Sequence, residues 1–268
     1  MRKTAAVAAL RAQRVATVRR LAGLPDGIWH TPCLPHWRVG DVAAHLVAVD
    51  EAFATGKIHQ ALRRAGDLWE FDHGDDATRW DDREPAELLQ ELERWGKRLA
   101  TVADRLPTVV GRLPMPGWLG RQPLLFFAYR RVLDEWVHEC DVAWATDSTS
   151  RQEPVAVEDA VGDVLALSVL SVLPHVGLPR ARRTSGVARV VVDTGGGRRL
   201  TWGIDFARRQ YGPRVTARPD AVVRTDARTL ALVAEQRWAW QGVDAEHLTV
   251  DGDEAVATDV LDLLASAP

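Results

Sequence analysis

The chain has 268 residues, 46% of them hydrophobic and 26% charged, with a formal net charge of -3 and a pI near 6.2. Those values belong to a globular protein and exclude general disorder. They leave no overall positive field for nucleic acid, and Arg180, Arg182 and Arg183 form only a short basic cluster.

The first segment, 2–22, places apolar residues at helical spacing with basic residues between them, which predicts an amphipathic helix. Arg11, Arg14, Arg19 and Arg20 interrupt its apolar run, so it does not read as a signal peptide. No later stretch approaches eighteen uninterrupted apolar residues, so no membrane span is expected and the protein is placed in the cytoplasm. Pro25 and Gly27 break the helix, and Pro32 and Pro35 predict an irregular stretch. A second helix is expected from about Val39 to Ala65, with Asp41 in its first turn.

Residues 66–83 are acidic and read as a loop, after which Pro85 opens a third helix running to about Leu106. Pro107, Pro114, Pro116 and Gly117 mark the next break, and a fourth helix covers about 124–145. The first half is therefore an up-and-down four-helix bundle. The polar run 146–155 places a domain boundary near residue 150, giving domains 1–150 and 151–268.

The second domain opens with a helix at about 156–173. VARVVVDT and RRLTWGID read as two strands joined through Gly195, Gly196 and Gly197 as a hairpin. RVTAR and AVVRT read as further strands, followed by a helix near 226–236, a strand near 247–250 and a last helix at 253–266. That order predicts a smaller α+β domain on an antiparallel or mixed sheet.

Of eight histidines, at 30, 36, 45, 59, 73, 138, 175 and 247, only His45 and His138 fall inside apolar helical stretches. Asp134 precedes His138 by four residues, so both side chains leave one helix face. With His45 from a neighbouring helix, two imidazoles and one carboxylate suit Zn(II), Fe(II), Mn(II) or Ni(II) and leave open positions. A core histidine and an ordinary Asp–His pair fit the same spacing, and Glu135 competes with Asp134 for the carboxylate role. Cys33 and Cys140 form no CxxC pair and read as free, packed thiols, although Cys33 precedes a helix as a nucleophile would.

The stretch TPCLPHWRVGDVAAHL, from Thr31 to Leu46, resembles the motif ahead of the second helix in the mycothiol-dependent maleylpyruvate isomerase family. Leu34, Pro35, Trp37, Gly40, Val42, His45 and Leu46 carry the match, and DEWVHECDVAWA resembles the family's second signature, with Asp141 after the histidine. The resemblance implies a DinB-like metal-binding bundle followed by a sterol-carrier-like α+β domain. It also implies a divalent-metal triad of His45, Asp134 and His138, with zinc first among the metals. This chain has Asp134 where the family has glutamate, a reach shorter by about 1.3 Å.

The implied cosubstrate is mycothiol, the low-molecular-weight thiol of actinobacteria, activated as a thiolate against a small electrophilic substrate. Isomerisation, conjugation and thiol transfer all lie within that chemistry. Arg237, in AEQRWAWQG, falls near a family arginine that reaches the active site and is the expected clamp for a substrate carboxylate. A monomer is expected. The competing expectation is a non-catalytic, ligand-binding or regulatory protein with a degenerate metal site.

Overall fold

The computed structural model describes residues 1–57, 80, 83–117, 120–147, 153–173, 179 and 181–266. The chain divides into two compact units, Met1–Ala156 and Val157–Pro268.

The first unit contains α1 (Lys3–Ala22), a short hairpin of β1 (Pro32–Leu34) and β2 (Trp37–Arg38), and α2 (Val39–Thr55). It continues with α3 (Pro85–Arg105), a second short hairpin of β3 (Pro114–Gly117) and β4 (Gly120–Pro123), and α4 (Leu124–Thr146). Helices α1 and α2 each pack against both α3 and α4. The apolar stripe of α3 is Leu88, Leu92, Trp95 and Leu99, all buried. Its Leu88, Leu92 and Trp95 meet Val39, Val42, Ala43, Leu46 and Val47 of α2, with Leu21 of α1 and Val142 of α4 joining the same core.

Proline at the first position starts α3 where no amide donor is needed. Asp41 starts α2 by accepting the Arg38 backbone N–H at 2.7 Å. The described part of α2 ends at Thr55, where Gly56 takes a left-handed conformation with φ of 76°. The expected continuation of this helix through 58–65, most of the acidic loop 66–83, and His59, His73 and His175 lie outside the described residues. The stretch expected to be irregular around Pro32 and Pro35 instead forms the β1–β2 hairpin, fastened to α2 by Val39 N–H donating to Thr31 O at 3.0 Å.

The second unit opens with α5 (Asp159–Leu170) and carries a five-stranded sheet. Its strands are β5 (Val187–Gly195), β6 (Arg198–Asp205), β7 (Gln210–Gly212), β8 (Ala221–Asp226) and β9 (Leu248–Gly252), in the order β7-β6-β5-β8-β9. Two further helices are α6 (Ala227–Ala234) and α7 (Glu254–Ala265). Only β5 and β8 run parallel, so the sheet is mixed. Alternation along β5 sends Ala188, Val190 and Val192 into the core. The helix α5 packs on this strand so closely that a Cβ at Gly162 would lie 2.1 Å from Thr194 O. Gly195, Gly196 and Gly197 all have positive φ and close the β5–β6 hairpin. Asp226 caps α6 and Asp253 caps α7, each accepting two backbone N–H groups.

One expectation fails in this unit. RVTAR is not a strand, and the third antiparallel strand is the earlier Gln210–Gly212. A four-residue turn at 206–209, with Arg209 at φ 53°, brings Gln210 back opposite Asp205. Pro213 then ends the ladder because it offers no amide donor, and Val215 packs over Gly203 instead of extending the sheet.

A candidate metal centre in the helical unit

His45 comes from the middle of α2, and Asp134 and His138 come from one face of α4. One donor atom from each lies within 4.8 Å of the other two. Asp134 Oδ1 is 3.6 Å from His45 Nε2 and 3.6 Å from His138 Nε2. Bonds of about 2.0–2.2 Å to one ion hold its donors roughly 3–4 Å apart, so both spacings fit a shared cation. Both imidazoles are buried, while the Asp134 side chain is 33% exposed and gives the group its opening.

The surrounding contacts fix each group. His138 Nδ1 is 3.1 Å from Asp141 Oδ2, a carboxylate that only accepts, so Nδ1 carries a proton and Nε2 is the nitrogen turned toward Asp134. The Trp37 ring, delivered by β2, lies 4.9 Å from the His45 ring and stacks on His138 at 5.6 Å and 28°. The two imidazoles meet edge to face at 5.0 Å. Arg131 Nη1 donates to Asp134 Oδ2 at 3.1 Å. Burial alone would raise the Asp134 pKa, but the neighbouring His45 and His138 imidazoles and the Arg131 guanidinium oppose it and hold the carboxyl well below the ordinary carboxylate range. The donor chemistry, two imidazole nitrogens and one ionised carboxylate oxygen, fits a borderline divalent ion such as zinc.

Glu135, the alternative to Asp134, turns the other way. Its side chain is wholly buried, and Oε2 accepts from Arg14 Nη2 at 2.9 Å. Burial pushes its pKa up, with Asp50 adding to the effect and Arg14 and Arg131 opposing it. Cys140 is fully buried and its thiol pKa is pushed far up by that burial, so it is packing and not a nucleophile. Cys33 is half-buried, with Sγ donating to Trp37 O at 3.6 Å inside the hairpin.

Arg237 belongs to the second unit, in the turn after α6. It is half-buried, its backbone N–H donates to Leu232 O at 2.8 Å, and Nη1 donates to Glu235 O at 3.0 Å.

Sequence reasoning missed the charged groups beneath the site. Asp50 is 0% exposed and joins Arg14 at 2.5 Å and Arg131 at 2.7 Å. Nothing in a helical pattern marks such residues as buried.

The family model for the mycothiol maleylpyruvate isomerase N-terminal domain matches residues 10–143, a span that contains all three clustered donors. The chain belongs to this family. Among solved structures, a histidine-to-alanine mutant of the mycothiol-dependent maleylpyruvate isomerase is similar at 12% identity and a TM-score of 0.56, over 94% of this chain and 93% of that one. The unmutated enzyme gives 13% identity and a TM-score of 0.55 over the same shares. A shorter likeness, to a sterol carrier protein 2 like 2 from Aedes aegypti, covers 37% of this chain and 93% of that one, at 14% identity and a TM-score of 0.31. No curated protein matches the sequence. Among the described residues, no helix is long and apolar enough to cross a membrane.

Proposed function

We propose that this family member is a divalent-metal-dependent enzyme that uses mycothiol against a small electrophilic substrate, with His45, Asp134 and His138 as the metal ligands. The observation that carries the proposal is the convergence of two imidazole nitrogens and a carboxylate oxygen within 4.8 Å, inside the segment that matches the family. Zinc is the first choice of metal for that donor set.

The residues present divide the work. His138 is held in one tautomer by Asp141 and offers Nε2, and Asp134 is ionised and offers Oδ1. Trp37 covers the two imidazoles with an apolar ring that keeps bulk water off that side. A divalent ion bound here supplies positive charge that lowers the pKa of a thiol or water brought to it. A thiol whose sulfur adds to an electrophilic carbon and later departs produces isomerisation, and one that stays produces a conjugate. We assign Arg237 to the substrate carboxylate, supported by the resemblance of its segment to the family and by the bidentate geometry of a guanidinium.

The test is an isomerisation assay on maleylpyruvate with zinc-loaded protein, with and without mycothiol, followed by screening of other unsaturated acids for thiol adducts. Turnover or adduct formation that needs both metal and mycothiol supports the proposal. Turnover unaffected by omitting the thiol contradicts it.

A further inference from the structure

We propose that Arg131 and Asp50 are positioning residues that restrict Asp134 to presenting one oxygen, Oδ1, toward His45 and His138. The inference rests on reading those three residues as metal ligands.

The Arg131 side chain is 1% exposed and each of its nitrogens is committed. Nε donates to Asp50 Oδ1 at 2.7 Å, Nη1 to Asp134 Oδ2 at 3.1 Å, and Nη2 to Leu46 O at 3.3 Å. Leu46 directly follows His45, and Asp50 lies on the same helix, so one guanidinium joins the backbone beside one ligand to the side chain of another. Asp50 cannot swing away, because its second oxygen accepts from Arg14 Nη2 at 2.5 Å and the residue is fully buried.

This arrangement makes the two oxygens of Asp134 unequal. Oδ2 is held by Arg131, whereas Oδ1 is 3.6 Å from each histidine. An unrestrained carboxylate can bind a cation through both oxygens. Here, turning Oδ2 toward the cation breaks a charge-assisted hydrogen bond. An ion held in this site would take one protein oxygen and two nitrogens, which would leave its remaining positions to thiol, water or substrate.

Electrostatics explains why the clamp has two members. A guanidinium beside a cation site repels the cation, and Asp50, joined by Glu135 Oε2 at 3.7 Å from Nη2, opposes that charge. A plain cross-link between α2 and α4 does not need the third contact, to Asp134. Lysine, a compact charge without a planar fork, cannot span Asp50, Asp134 and Leu46 together.

The full-length protein would be titrated with Co2+ and followed by visible absorption and chelator competition, as parent, Arg131→Lys and Asp50→Asn, with circular dichroism of each. The expected parent spectrum has the intense bands of four- or five-coordinate cobalt. Folded variants are expected to bind about 10–100-fold more weakly, with weaker, shifted bands as the carboxylate turns bidentate. A folded variant with the parent's affinity and bands would overturn the inference alone. A parent that takes up no Co2+ would overturn the metal reading with it. X-ray absorption of the zinc-loaded parent needs no variant: a single carboxylate oxygen supports the clamp, and a bidentate carboxylate overturns it.

Discussion

His138 Nδ1 sits 3.1 Å from Asp141 Oδ2, one helical turn further along α4, and this contact aims the opposite nitrogen at Asp134. Outer partners of this kind commonly change metal affinity by about 10–100-fold. Asp141→Ala is expected to weaken zinc binding by that order while leaving the helix content unchanged. Asp141→Asn is expected to lose less, because the amide oxygen still accepts from Nδ1–H. Chelator competition on the two variants checks both values.

Arg14 is the cation shared by Asp50 and Glu135 in the interior of the bundle, at 2.5 and 2.9 Å. Removing one partner of a buried pair leaves an uncompensated charge, a loss of about 3–5 kcal/mol. Arg14→Met is expected to destabilise the protein by that amount in urea unfolding. A change below about 1 kcal/mol would show that Arg131, which also pairs with Asp50 at 2.7 Å and Glu135 at 3.7 Å, compensates both carboxylates without Arg14.

Gly162 marks a close approach of α5 to the sheet, because an added Cβ would lie 2.1 Å from Thr194 O, a backbone atom that cannot yield cheaply. Gly162→Ala is expected to destabilise by about 1–3 kcal/mol or more, as in overpacked cores generally. Alanine is ordinarily the better helix former, so a stabilised variant would show that α5 can lift off the strand.

Tyr211 donates its hydroxyl to Leu170 O, and burial raises its pKa well above the ordinary value. The folded protein keeps the phenol neutral, whereas the unfolded chain ionises it near about pH 10. Its contribution is therefore complete below about pH 10 and is lost as pH rises toward the folded pKa. Tyr211→Phe is expected to cost about 1 kcal/mol at neutral pH and to flatten part of the alkaline decline in urea-unfolding stability.

The elements that read most clearly from sequence are those with a strong period. Leu88, Leu92, Trp95 and Leu99 recur at helical spacing and form the buried face of α3, and Ala188, Val190 and Val192 alternate into the core from β5. Spacing could not separate Asp134 from Glu135, since both lie within a turn of His138. The bundle separates them, turning Glu135 inward to Arg14 and Asp134 toward the histidines. Arg14, Asp50 and Arg131 resemble any charged residues on amphipathic helices, because burial in mutual pairs leaves no periodic trace. The strand Gln210–Gly212 was hidden for a related reason. A turn and hairpin geometry create it, without the β-branched residues that mark a strand in sequence.

The most direct test of the metal centre is the metal content of protein purified without chelator, measured by plasma mass spectrometry on the parent, His45→Ala and Asp134→Ala. The expected result is about one divalent ion per parent chain, zinc foremost, lost in both variants. A parent that is metal-free and stays so after zinc addition, or variants that keep the parent's metal, would contradict the assignment of His45, Asp134 and His138 as ligands.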